Sequence, residues 1–138
     1  MMKLRRVILE SPFRGNDIEE QYRNIRYAQA AMLDSLGRGE SPFASHLMWP
    51  GILDDADANQ REAGIEAGLA WGPAAEATVV YTDLGISPGM KKGIARANAE
   101  GRPVDKRSLP AWVGERSRRR DKTKGMAPSH PGMEITHG

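Results

Sequence analysis

Thr78-Val79-Val80-Tyr81-Thr82-Asp83-Leu84-Gly85-Ile86-Ser87-Pro88-Gly89-Met90 decides how the chain is read. Its first four residues are β-branched or aromatic and too few for a helix, so they predict a buried strand. Ser87-Pro88 then has the chemistry of a helix N-cap and first helical position. A strand that turns through glycine into a helix start is a building block of parallel α/β sheets. In such sheets ligands sit beyond the carboxyl ends of the strands, and a helix N-terminus offers N–H donors and partial positive charge to an anion. Gly85, Ser87, Gly89 and Met90 are therefore candidate ligand-binding positions. Asp83, at the same carboxyl edge, is the candidate working acid.

Working outward, Arg5 to Ser11 carries the apolar run Val7-Ile8-Leu9 and predicts a strand that stops at Ser11-Pro12-Phe13-Arg14-Gly15-Asn16-Asp17. From Ile18 through Leu36 the apolar residues Ile18, Tyr22, Ile25, Met32, Leu33 and Leu36 recur at helical spacing, with Asp17 to cap the start and Gly37 to close the end. Pro42 to Leu47 predicts a second strand. Gln60 to Trp71, with Ile65 and Leu69 four apart, predicts a second helix. Gly64 and Gly68 lie on one side of it and point to close approach of another backbone or a ligand, since each weakens the helix by roughly 1 kcal/mol relative to alanine. Thr78 to Tyr81 is the third strand, Pro88 to about Ala99 the third helix, and Arg102 to Arg107 a short fourth strand. Leu109 to Val113 is expected to dock on the domain.

The order β-α-β-α-β-α-β implies an α/β fold: a small doubly wound, flavodoxin-like parallel sheet of about four strands, order 2-1-3-4, with helices on both faces. That order brings the loops after the first and third strands to one crevice. The exposed edges of so small a sheet favour a homo-oligomer that covers one of them.

Bulk properties narrow the function classes. Hydrophobic residues make up 39% and charged ones 28%, the balance of a globular protein. No run approaches the roughly 18 apolar residues of a membrane span, so no membrane partner is expected. Cysteine is absent, which excludes disulfide stapling and thiol catalysis and fits a cytoplasmic setting. Residues 1 to 110 hold 14 Lys and Arg against 15 Asp and Glu, whereas 111 to 138 hold 6 against 3. The chain thus divides into a near-neutral domain, 1–110, and a basic C-terminal tail, 111–138, whose run Arg116 to Lys124 suits weak nonspecific contact with nucleic acid. No metal-ligand pattern or cofactor fingerprint is complete, and no cofactor is expected.

Ser11, Arg14 and Asn16 in the first loop suit an anion or a polar ligand. His46, behind Ser45, is a candidate general base or donor to substrate. Glu62 and Glu66 share a helix face and offer paired carboxylates. Gly85-Ile86-Ser87-Pro88-Gly89 matches the nucleophile-elbow pattern, but Pro88 removes an N–H that an oxyanion hole needs, and the histidines after it lie in the tail.

Two motifs carry a resemblance: Ser11-Pro12-Phe13-Arg14-Gly15 after the first strand, and Asp83-Leu84-Gly85-Ile86-Ser87-Pro88-Gly89-Met90-Lys91-Lys92-Gly93 after the third. On these, Val7 to Val104 resembles the nucleoside 2-deoxyribosyltransferase-like superfamily, especially its small phage-type members. The resemblance implies a flavodoxin-like domain that binds nucleosides or nucleotides, with Ser11, Phe13, Arg14, Gly15, Gly85, Ser87, Gly89, Met90 and Lys91 around the ligand. It also implies transferase or hydrolase action on an N-glycosidic bond. In that superfamily the last loop carries a nucleophilic glutamate between two glycines. Laid over Gly89-Met90-Lys91-Lys92-Gly93, that position is Lys91, so an acid role passes to Asp83 or Glu66. The alternative is a non-catalytic protein that senses or sequesters a nucleotide signal such as an ADP-ribose-like ligand.

Overall fold

The computed structural model of the chain describes residues 3–112. Val113 and the basic run Arg116 to Lys124 lie outside the described residues. The elements alternate as β1 (Arg5–Glu10), α1 (Ile18–Gly37), β2 (Glu40–Phe43), α2 (Ala58–Leu69), β3 (Ala77–Tyr81), α3 (Pro88–Ala99) and β4 (Val104–Arg107), with 3-10 turns at Ser45–Leu47 and Gly72–Ala74. All strand pairs are parallel and the sheet order is β2-β1-β3-β4. The fold is the α/β sheet in the order that the sequence implies. Among the described residues no helix is long and apolar enough to cross a membrane.

Strand alternation sorts the side chains onto two faces. Val7 and Leu9 of β1 and Ala77, Val79 and Tyr81 of β3 form one apolar cluster with Tyr27 and Ala31 of α1. The residues between them, Ile8, Glu10, Thr78 and Val80, turn to the face covered by α2 and α3. Every residue of β3 is buried, as a central strand covered on both sides requires. Beyond β4, Leu109 enters the α1 cluster, and Trp112 meets the Tyr27 ring edge-on at a centroid distance of 5.1 Å.

Local chemistry fixes the helix starts. Asp17 accepts from Glu20 N at 2.8 Å, Asp57 from Asn59 N at 2.8 Å, and Ser87 Oγ from Met90 N at 3.3 Å. Asp57 therefore begins α2 two residues earlier than Gln60, and the helix ends at Leu69. Its two glycines are explained by neighbours. A Cβ at Gly68 would run into the Ser45 side chain, and one at Gly64 would lie 3.1 Å from Leu53 and 3.6 Å from Trp49.

Two expectations change. The second strand is Glu40–Phe43, ending before Ala44, so His46 stands on the following 3-10 turn. In α1 the buried residues are Arg23, Asn24, Tyr27, Ala28, Ala31 and Ser35, while Ile18, Tyr22, Leu33 and Leu36 are exposed. Helical spacing locates an apolar face but not the direction it points. Tyr27, Ala28 and Ala31 turn inward because their bulk lets the helix lie close to β1 and β3.

Candidate functional site

The exits of β1 and β3 open on one cavity of about 430 Å³, closed on its other sides by α2 and the 3-10 turn after β2. That volume lies in the range of small-molecule sites, roughly 300–1,000 Å³. From the loop after β1 come Ser11, Phe13 and Arg14; from the start of α3 come Ser87, Pro88, Gly89 and Met90; His46 comes from the 3-10 turn. The crevice read from the sequence therefore exists, and these residues meet in it.

Several candidates lie elsewhere. Asp83 points to the α1 face and is 1% exposed. Its carboxylate accepts from Tyr27 Oη at 2.7 Å, Ser108 Oγ at 2.8 Å and Leu109 N at 2.8 Å, while its own N–H donates to Tyr27 Oη at 2.8 Å. It ties α1 and residues 108–109 to the end of β3, and those bonds leave it no place in the cavity. Glu66 is on the exposed side of α2, paired with Arg96 at 3.1 Å. Lys91 is exposed and off the cavity wall, because one step along a helix rotates the side chain away; Lys92 lines the wall instead and pairs with Glu62 at 3.3 Å. Gly85 supplies a φ of +92° to the turn that its N–H closes onto Thr82 O. Gly15 is needed by packing, since a Cβ there would lie 2.5 Å from Glu20 Cβ.

The amides at the start of α3 are largely committed. Ser87 N donates to Met90 Sδ at 3.4 Å, Met90 N to Ser87 Oγ at 3.3 Å, and Lys91 N to Ser87 O at 3.0 Å. Pro88 has no N–H. Gly89 N–H is thus the open donor of the first turn, a thinner anion cradle than the sequence implied. Side-chain cations supply the positive charge instead: Arg14, Arg61 and Lys92 line the cavity. Arg14 pairs with Asp55 at 3.3 Å, and Arg61 donates to the Asp55 carbonyl at 3.0 Å.

Sequence reading missed the floor. Glu10, the last residue of β1, projects onto the α2/α3 face, and its carboxyl group rests against Gly93 so closely that a Cβ there would overlap it. Burial pushes its pKa up to about 8, against a partial opposing pull from Arg102. Among the described residues the Glu10 carboxyl has no hydrogen-bond partner. Trp49, also on the wall, has a buried indole N–H with no acceptor among the described residues. The indole N–H is closed off from the cavity by the chain itself, so the open polar group on this part of the wall is the Glu10 carboxyl.

Ser11 and His46 are hydrogen-bonded to each other on the cavity wall, Ser11 Oγ to His46 Nε2 at 2.8 Å. Burial lowers the His46 pKa to about 4. A histidine so weakly basic is neutral at pH 7 and a poor acceptor for a serine proton, so the pair reads as a positioned hydrogen bond rather than a nucleophile with its base. The Phe13 ring meets the imidazole edge-on at 6.5 Å and continues the wall. Asp54 and Asp57, just before α2, accept from the backbone amides of Ala56 and Asn59 at 3.0 and 2.8 Å. Among the described residues no group of three His, Cys, Asp or Glu is placed to hold a metal ion.

Residues 5–107 match the family described as a domain of unknown function, DUF7768. The chain belongs to this family. No curated protein and no solved structure matches it. The match spans all four strands of the DUF7768 domain, and thus the crevice between the ends of β1 and β3.

Proposed function

We propose that the cavity binds a nucleoside or nucleotide and that this DUF7768 protein acts on its N-glycosidic bond, with Glu10 as the acid. The observation that carries the reading is Glu10 itself: a carboxyl group with no hydrogen-bond partner among the described residues, on the floor of a nucleotide-sized cavity and held protonated at neutral pH by burial. Phe13, Trp49, Leu53 and Ile65 provide the flat and apolar surface that a base requires, and Arg14, Arg61 and Lys92 the charge that a phosphate requires.

The chemistry follows from the protonation state. Cleaving an N-glycosidic bond leaves an electron pair on the base nitrogen, and a neutral carboxylic acid donates the proton that this nitrogen takes up. Water adds to the anomeric carbon and returns its proton to Glu10, so the products are free base and sugar. The acid expected at Asp83 or Glu66 thus comes from β1, reaching the same turn of α3 where the resembled superfamily places its glutamate. Gly93 provides the room.

Binding without turnover is favoured by one fact. Glycoside cleavage ordinarily uses two carboxyl groups, and among the described residues the cavity lining holds one besides Glu10, Asp55, which is engaged by Arg14. A thermal-shift screen of nucleosides, nucleotides and ADP-ribose, followed by mass spectrometry of the hits, separates the readings. The catalytic one expects a stabilising ligand that is converted to free base by the wild type and left intact by Glu10→Gln. A stabilising ligand that survives unchanged with the wild type supports the sensor reading. No stabilisation by any member of the panel contradicts both.

A further inference from the structure

Beneath the cavity floor lies a second buried charge. Arg102, in the turn between α3 and β4, has a side chain only 6% exposed. Its Nε donates to Thr78 Oγ1 at 3.0 Å and its Nη1 to Glu100 Oε1 at 2.6 Å. The bond to Thr78 puts the guanidinium on the α2/α3 face, the face that Glu10 meets. Thr78 pairs with Ile8, and Val80 with Glu10. Thr78 and Glu10 therefore stand two residues along and one strand across from each other, about 8 Å apart. A glycine clears the way for each side chain: a Cβ at Gly72 would lie 2.6 Å from Arg102 Nη2, and one at Gly93 would overlap the Glu10 carboxyl. A buried ion pair is rarely worth more to stability than apolar side chains of similar volume, so the charge itself calls for another account.

We propose that Arg102 is a positioning residue for the acid: its charge steadies the carboxylate that Glu10 becomes on giving its proton to the departing base nitrogen. This rests on the reading of Glu10 as that acid. Burial tightens the hold of Glu10 on its proton, and the Arg102 charge pulls against it. A proton held by burial alone would be harder to give up, and the anion left behind would have no cation under it. The other charges that face the floor are engaged at the cavity wall. Arg14, on the loop after β1, pairs with Asp55; Arg61 of α2 donates to the Asp55 carbonyl; Lys92 of α3 pairs with Glu62. His46, on the turn after β2, is neutral at pH 7. Glu100 offsets part of the Arg102 charge, so the two residues act on Glu10 with opposite signs.

NMR titration of the Glu10 carboxyl carbon in the full chain, without ligand, reads this effect and is blind to a merely structural role. Arg102→Met should raise the midpoint by about one unit, a tenfold tighter hold on the proton, and Glu100→Gln should lower it by about half a unit. Arg102→Lys keeps the charge and should stay within about half a unit of wild type. Circular dichroism shows which variants are folded. The Glu100 side chain is 28% exposed, so Glu100→Gln decides the matter if Arg102→Met fails to fold. A wild-type midpoint near 8 that the folded variants leave unmoved overturns the proposal and leaves the reading of Glu10 standing. Shifts of Arg102→Met and Glu100→Gln in the same direction also overturn it. A wild-type midpoint near 4.5 overturns the reading and the proposal together.

Discussion

Two sets of polar side chains, one on each face of the sheet, are held in opposite ways. On the α1 face, the polar groups gathered around the ends of β3 and β4 are bonded to one another. Arg107 forks onto Glu40 at 2.8 and 2.7 Å and donates to Tyr81 Oη at 3.1 Å, while the Tyr81 hydroxyl donates to Asp34 at 2.7 Å. The Arg107 hydrogen bonds hold Glu40 below the usual carboxylate range in spite of its burial. Asp83 is equally engaged. On the α2/α3 face, the Glu10 carboxyl lines a cavity with no hydrogen-bond partner among the described residues. A buried network that closes on itself builds structure, whereas one left open to a cavity is arranged for something that arrives later.

Asp83→Ala is the most severe test of that contrast. Removing the carboxylate strands the Tyr27 and Ser108 hydroxyls and the Leu109 N–H, each worth about 1–3 kcal/mol when left unmatched. Urea unfolding should show a loss of about 3 kcal/mol or more, and the stability of an Asp83→Ala protein within about 1 kcal/mol of wild type would show the network to be idle.

Glu10→Gln should do the reverse. Unfolded, this carboxyl group ionises near 4.5; folded, near 8. Between those values the folded chain holds a proton that the unfolded chain has released, so stability is full below pH 4.5 and falls by up to about 1.4 kcal/mol per unit as the pH rises toward 8. Glutamine removes the ionisation. The variant should gain on the order of 3 kcal/mol at pH 7 and nothing at pH 4.5, while losing turnover. Urea midpoints at the two pH values measure this, and equal differences at both would contradict it.

Gly93→Ala is subtler. Its methyl group would collide with the far end of the Glu10 side chain, which swings aside at little cost, so stability should stay within about 1 kcal/mol of wild type. Ligand conversion or affinity should fall by about tenfold or more, as a displacement of about 1 Å at a reacting group does. An alanine at 93 that changes neither would mean the position of the carboxyl group does not matter.

Much of the fold was legible because its signals are local. The β-branched run before Asp83 and the Ser87-Pro88 start of α3 fall where the residues place them, and Pro88–Ala99 is observed with the predicted ends. What escaped depends on direction. The apolar spacing of α1 picks out Ile18, Tyr22, Leu33 and Leu36, which are exposed, whereas Tyr27, Ala28 and Ala31 fill the inner face and only Met32 of the spaced residues packs against their cluster. Glu10 escaped because it lies one residue past the apolar run read as Val7-Ile8-Leu9, and β1 runs on through it to pair with Val80. Asp83 drew notice for standing at the carboxyl edge, yet strand parity sends it to the opposite side of the sheet from the cavity. The signal for Glu10 was present in the same rule: its place in the alternation is that of Ile8, away from Val7 and Leu9.

NMR titration of the Glu10 side-chain carboxyl carbon in the full chain, alone and with a panel of deoxynucleoside 5′-monophosphates, tests the central claim most directly. The account predicts a midpoint near 8 for the free protein, displaced when a nucleotide occupies the cavity. A midpoint near 4.5 that no nucleotide moves would contradict it.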